Sequence, residues 1–426
     1  MIEKRFMIDR IKIMFKDGFF HILGSSFINK CIAFVTNILI VRFLTKHDYG
    51  VFTSAFNVFY IVFLFSGLGI TSGILYFCSK NISRDEKTSY YNFSLKFGLF
   101  SELVLSIILL LYGLLADVGI EESRYYIIGL SLLPFAAFYF DYYSIILRAE
   151  KDNKKYALFL NLNSVFYAVF GVAGALLGGI WGTIIGRYVA YLISDLLGAR
   201  FCRQYKSNWN TLLGKTDQSD LLRYSVKAGI TSALNVILYR IDIYVITIVI
   251  ADASILASYK VGTALPENVN FIPQCIMVYF LPVFIQNLAD IGWIKRKTKE
   301  IYLFVGAVSL AIGVVMIVFA PLIIRIIWGE AYLDAVPCLR ILSVSFIVLS
   351  TFRMTSTNIL LALKRTGYTM FVSIISGLVN IILDVVMTIR YGSIGAAYAT
   401  LIVTVFAAFL SFPYTLYIIY KTEKYE

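Results

Sequence analysis

Apolar residues along the 426-residue chain gather in blocks of about 20, divided by short polar stretches rich in Lys and Arg. A helix rising 1.5 Å per residue needs about that length to cross a ~30 Å hydrocarbon core. The pattern predicts an all-α polytopic membrane protein with twelve spans. They fall near 19–41, 52–78, 93–116, 125–147, 157–178, 180–202, 224–249, 256–286, 301–326, 337–362, 368–390 and 394–420. The eighth block is long and carries Pro266, Pro273 and Pro282, which predicts a kink or break. The longest polar stretch divides the spans six and six. This gives an interfacial segment at 1–18, a six-helix bundle at 19–202, a cytoplasmic linker at 203–223, a second bundle at 224–420 and a tail at 421–426.

Composition supports the pattern. Charged residues make up 15% of the chain against 59% hydrophobic, and mean hydropathy is +0.78, which excludes a soluble domain, a disordered chain and a coiled coil. Cys31, Cys78, Cys202, Cys275 and Cys338 lie in or beside apolar blocks with no CxxC, and the only histidines are His21 and His47. A disulfide framework, a zinc site and other metal or cofactor chemistry are therefore not expected. The net charge of +12 would suggest nucleic acid in a soluble chain, but here the cations sort by membrane side. Loops on the amino-terminal side hold 26 Lys and Arg and those on the other side five, so both termini are expected in the cytoplasm. The first 18 residues are basic (Lys4, Arg5, Arg10, Lys12, Lys16), with no small-residue cleavage site, and read as a helix lying at the inner surface.

The halves carry traces of a repeat. A shift of 207 sets LTKHDYGVFTSA (44–55) on IADASILASYKVGTA (250–264), with Gly50 on Ala257, Phe52 on Tyr259 and Ala55 on Gly262. A shift of 213 sets GGIWGTIIG (178–186) on YGSIGAAYAT (391–400), each with small residues at a tight turn. Both halves begin on the inner side, so the repeat is parallel. Halves of that kind can rock about a site between them, as in transporters.

Charges at bilayer depth cost at least about 2.5 kcal/mol and call for a partner or a wet cavity. Seven cations fall within or at the edge of spans: Lys30, Lys96, Arg187, Arg240, Lys260, Arg340 and Arg353. Lys30 is central in span 1, on one stripe with Ser26 and Asn37. An ion pair is open to it, but span 1 has no acid, which favours a cavity. Arg240 and Asp242 in span 7 lie roughly 200° apart round the helix, so one faces a cavity and the other a neighbouring helix, with Arg240 assigned to the cavity. Arg353 is mid-span beside Asn358. Lys260, Arg340 and Arg187 lie nearer the outer surface, where snorkelling to headgroups is favoured. The acids Glu102, Asp141, Asp195, Glu267 and Asp384 read as interhelical ion pairs, except Glu267, which the break at Pro266 can expose. The excess of cations points to an anionic substrate, with phosphate the natural group.

VRFLTKHDYGVF (41–52), the turn at Gly67-Leu68-Gly69, ILRAEKDNKKYALFLNLNSV (146–165), YRIDIYVI (239–246), WGEAYLDAVPCLRIL (328–342) and YGSIGAAYAT (391–400) give the chain a family resemblance across its whole length. It resembles a Wzx-type polysaccharide (O-antigen or capsule) flippase of the multidrug/oligosaccharidyl-lipid/polysaccharide exporter superfamily. The resemblance implies two six-helix bundles around a cationic cavity in the bacterial inner membrane. It also implies transfer of undecaprenyl-pyrophosphate-linked oligosaccharide to the outer leaflet. Lys30, Arg240, Lys260 and Arg353 are then candidates to bind pyrophosphate or acidic sugars, with Ser26, Asn37, Asp242 and Glu267 in supporting or coupling roles. Implied partners are the lipid-linked oligosaccharide, membrane lipids and the polymerase and chain-length machinery, with no nucleic acid and no cofactor. Two other readings stay open. One is a proton- or sodium-coupled multidrug antiporter of the same fold, through Asp242. The other is a membrane glycan polymerase or ligase, which the short, histidine-poor outer loops disfavour.

Overall fold

The computed structural model describes residues 19–80, 82–205, 211–237, 241–287 and 290–421, and these form helices joined by short turns with no strand among them. The expected interfacial segment at 1–18 lies outside the described residues, as do 206–210 of the linker, Arg240, and the tail beyond Lys421. By internal contacts the chain divides into Met1–Val236 and Ile237–Glu426.

The first unit holds α1 (Phe19–Phe43), α2 (Lys46–Phe63), α3 (Ile70–Cys78), α4 (Arg84–Leu115), α5 (Ser123–Gly129), α6 (Leu133–Ala149), α7 (Asn153–Cys202) and most of α8 (Lys215–Ile237). The linker expected at 203–223 is thus partly helical. The second unit holds α9 (Ile241–Val249), α10 (Ala253–Val269), α11 (Phe271–Gln286), α12 (Ile291–Val318), α13 (Ala320–Ile327), α14 (Val336–Val348), α15 (Thr355–Ala362) and α16 (Thr366–Lys421). The eighth predicted span is broken, into α10 and α11, with Pro266 inside the first piece.

The helices carry large apolar residues on the outside, and α4 buries a run of small and polar ones. On α4, Phe100, Leu103, Ile107, Leu111 and Leu115 are exposed, while Ser94, Gly98, Ser101, Glu102 and Ser106 are buried. A water-soluble helix sorts the other way, and this inversion is what a lipid surround selects. Gly98 is where the Phe138 ring seats, in space that a Cβ would fill.

Among the described residues six stretches are long and apolar enough to cross a membrane, and α5 with α6, bent by 50°, makes a seventh if the pair is one span. The twelve expected crossings condense to this number partly because two helices are hairpins. The stretches 153–205 and 366–420 are 53 and 55 residues long. At 1.5 Å per residue each is about 80 Å, more than twice the hydrocarbon thickness. Each turns back at a glycine of the same conformation: Gly179 at φ 57°, ψ −133°, and Gly392 at φ 64°, ψ −147°. Their arms touch backbone to backbone, Gly182 on Gly174 and Gly395 on Met387, where a Cβ on Gly182 or Gly395 would overlap the facing carbonyl. All these pairs keep the 213-residue offset. The 207-residue offset reappears in helix caps. The side chains of Thr45 and Asp252 cap α2 and α10, and those of Ser83 and Asp290 cap α4 and α12.

One predicted span, 52–78, is interrupted. Gly67, Leu68 and Gly69 all take positive φ (54°, 46° and 78°) between α2 and α3. Leu68 carries the strain that an L side chain meets there. The break is held by Glu102, fully buried, which accepts hydrogen bonds from Ser66 Oγ at 2.8 Å and Gly67 N at 2.7 Å. Gly69 lies directly on the backbone of Ser225 and Gly229 in α8, an approach that only glycine permits.

Candidate functional site

In the first unit the chemistry centres on an arginine. Arg187 lies eight residues after the hairpin turn at Gly179, about 12 Å along the helix. Tyr167 comes from the other arm and Tyr191 from the next turn of its own arm. The guanidinium carbon lies 4.5 Å from the Tyr167 ring centre and 4.2 Å from that of Tyr191, a double cation–π contact. One Nη donates to Tyr191 OH at 2.6 Å. Tyr60 of α2 adds a third phenol, and Asp141 of α6 acts on the charge at longer range. No described carboxylate reaches salt-bridge distance, so most of the five guanidinium N–H donors remain to be engaged. The snorkelling assigned to Arg187 in the sequence is corrected here. The aromatic rings offer a nearer site for the charge than the headgroups.

Lys30 is exposed midway along α1. Its neighbour Asn29 ties α1 to α7, donating to Leu160 O at 3.1 Å and Ser164 Oγ at 2.8 Å, and Lys30 lies about 100° further round the helix. Asn37 donates to Tyr49 OH at 3.2 Å and so joins α1 to α2. The Ser26 side chain lies outside the described residues.

In the second unit an acid cluster forms. Asp242 accepts from Tyr259 OH of α10 at 2.6 Å and from Ile243 N at 2.9 Å. It faces a neighbouring helix, one of the two orientations left open for it. Asp384 of α16 is fully buried and accepts from Asn380 Nδ2 at 2.7 Å, while its Oδ1 has no hydrogen-bond partner among the described residues. Asp242, Asp384 and Tyr259 lie within one another's electrostatic field. Asp384 was expected in an ion pair but meets an amide and a second acid instead. Glu102, expected the same way, meets the α2–α3 break. Two buried carboxylates within each other's field favour a shared proton or a hard cation taken up through oxygen. Asp384, Asn380, Tyr259 and Asp242 could supply such a ligand set.

The structure brings Lys260 and Glu267 together at 3.1 Å, near Asp242. Arg353 is half-buried in a π-helical turn, Leu349–Met354, a register change common at functional sites. Arg340 is exposed and donates to Ile317 O at 3.2 Å at the end of α12. Sequence reading named Arg187 and Asp384 but missed the tyrosines around the first and Asn380 beside the second. The glycines that set the hairpin register would have put Tyr167 beside residues 187–191, and the i, i+4 spacing of Asn380 and Asp384 was legible.

Comparison with known proteins follows the same line. A family model described as polysaccharide biosynthesis protein matches residues 39–337. An uncharacterized membrane protein of Methanocaldococcus jannaschii is 26% identical over 248 residues, 53% of this chain. That match spans 56% of the relative, so the chain aligns with little more than half of its length. Among solved structures, the inward-facing conformation of a multidrug resistance MATE-family transporter of the MOP superfamily superposes with a TM-score of 0.77. It is 14% identical, over 93% of this chain and 96% of that one. The lipid II flippase MurJ in an inward closed conformation gives 0.74 at 15% identity, over 91% and 86%. At these identities the likeness is one of fold. The family match, covering most of the chain, makes it a member of the polysaccharide biosynthesis protein family with the MOP-superfamily fold.

Proposed function

We propose that the chain is a flippase that moves undecaprenyl-pyrophosphate-linked oligosaccharide to the outer leaflet of the bacterial cytoplasmic membrane, for O-antigen or capsule synthesis. It works by alternating access of two six-helix bundles, with twelve spans and both termini in the cytoplasm. The observation that carries this reading is Arg187, a guanidinium with no carboxylate at salt-bridge distance among the described residues, in a member of a polysaccharide biosynthesis family. A positive charge is retained at such cost where an anion must pass. Guanidinium suits phosphate and carboxylate through parallel N–H donors. Tyr167, Tyr191 and Tyr60 offer hydroxyls to a glycan. Lys30, Arg240, Lys260 and Arg353 are proposed as further cations for the anionic substrate. The test is reconstitution in liposomes carrying a fluorescent polyprenyl-pyrophosphate oligosaccharide, reading which leaflet exposes the glycan to added enzyme. Protein-dependent exchange supports the reading, and its absence with every lipid-linked glycan refutes it.

A second reading has its own observation. The buried Asp242–Asp384 cluster suits sodium or proton coupling, which would serve either this flippase or a cation-coupled multidrug antiporter. Uptake of an organic cation against an ion gradient, without glycan exchange, would select the antiporter.

A further inference from the structure

At one end of the first unit, a cavity of about 430 Å³ opens between the start of α4 and the ends of α6 and α7, lined by Ile82, Arg84, Lys87, Glu150, Gln204 and Tyr205. Its volume falls within the roughly 300–1,000 Å³ of small-molecule pockets. The walls are braced. Glu150 accepts from Tyr91 OH at 2.6 Å through one oxygen and from Lys87 Nζ at 3.1 Å through the other. Tyr205 OH donates to Asp152 at 2.6 Å, and Asp152 also pairs with Lys155 at 3.1 Å. Both nearby acids are thus committed to partners within the wall. Asp85 and Glu86, exposed in the first turn of α4, are the opposing charges. The exposed Arg84, together with Lys87 and with Gln204, whose side chain is hydrogen-bonded to Tyr205, completes the lining. Lys151, Lys154 and Arg203 neighbour the lining residues Glu150 and Gln204 in sequence. Two residues before Ile82, Lys80 lies over the rings of Tyr76 and Phe77 at 4.5 and 5.0 Å. Such an aromatic and basic girdle marks headgroup level.

We propose that this pocket binds the phosphate of an anionic phospholipid headgroup at the cytoplasmic surface. The site is separate from Arg187. It rests on the proposed orientation of the chain but not on which substrate is moved. Arg84 and Lys87 take the phosphate oxygens, Gln204 and Tyr205 meet the polar headgroup, and Ile82 faces the glycerol end.

The test uses the full chain in detergent, with native mass spectrometry and thermal shift on titration with phosphatidylglycerol, phosphatidylcholine or inorganic phosphate. Phosphatidylglycerol should be retained and stabilising, with phosphatidylcholine and millimolar phosphate ineffective. Arg84→Gln should weaken retention about tenfold. Arg148→Gln, exposed at the same end but outside the lining, should change it less than about twofold. Glu150→Gln removes a negative wall charge and should tighten binding, the reverse of what damage to the fold would do. Equal losses in the two arginine variants, weaker binding in Glu150→Gln, or indifference between the two lipids would overturn the proposal. Stabilisation by inorganic phosphate alone, with displacement of the lipid, would overturn the lipid assignment in favour of a soluble phosphate.

Discussion

Arg187 gives the sharpest separation of charge from packing. Changing it to Leu removes the guanidinium but leaves an apolar side chain between Tyr167 and Tyr191. A charge at bilayer depth costs at least about 2.5 kcal/mol, against which stand two ring contacts at 4.2 and 4.5 Å and one hydrogen bond. Those contacts are worth about 1–2 kcal/mol each, so the two sides nearly cancel. The Leu variant should therefore insert and unfold within a few degrees of wild type, since replacing buried charge by apolar bulk is often neutral. Transport should respond differently. A bidentate charge-assisted contact to a phosphate or acidic sugar is worth about 3 kcal/mol, and 1.4 kcal/mol is a factor of ten. Arg187→Leu should therefore lose roughly 100-fold in glycan exchange. Arg187→Lys keeps the charge but loses the planar fork and much of the stacking, and should lose roughly tenfold. Both are read in proteoliposomes, with thermal unfolding in detergent as the control. A Leu variant that exchanges glycan at half the wild-type rate or better would show that Arg187 only packs, and the proposed anion site would fall with it.

The acid cluster predicts ion dependence. Asp384→Asn and Asp242→Asn should each abolish the response of transport to a sodium or proton gradient, measured by imposing gradients across the same liposomes; a preserved response would exclude the cluster from coupling. Lys30→Ala should cripple exchange about tenfold or more while the protein stays inserted, and wild-type exchange would remove Lys30 from the anion path. Gly182→Val, whose side chain would overlap the Gly174 carbonyl, should prevent the α7 hairpin from closing and collapse the yield of folded protein; normal monodisperse protein would contradict that backbone contact. Asp152 caps α7. Burial pushes its carboxyl up, but hydrogen bonds from Tyr205 and Lys155 outweigh this and hold it below the usual carboxylate range. A depressed folded-state value means that the stability it contributes is present above about pH 4 and is lost as pH falls through the folded value. Asp152→Ala should cost about 1 kcal/mol near neutrality and little in strong acid, and a cost independent of pH would contradict the assignment.

What could be read from the sequence divides along a physical line. Hydrophobic block length is a one-dimensional property, and it marked the long apolar helices and the short turns between them. The glycine turns at 178–179 and 391–392 were legible because a backbone turning back within two residues needs a positive φ. The matching conformations of Gly179 and Gly392 show that the 213-residue offset marks a conformational repeat as well as a compositional one. The polar interior was less legible, because a charge's partner is decided by helix rotation, and rotation is set by packing. Arg187 looked like a snorkelling residue from its distance to the outer surface, yet the glycine contacts bring the Tyr167 ring of the facing arm onto it, with Tyr191 one turn on in its own arm. Glu102 looked like half of an ion pair, but a break in the helix beside it offered an amide and a hydroxyl. That break was visible only as a Gly-Leu-Gly turn. In a membrane interior, unsatisfied backbone competes with cations for each acid, and a sequence displays the cations while hiding the breaks. Glu102 and Asp384 therefore report where a helix is interrupted or paired, which their spacing along the chain does not display.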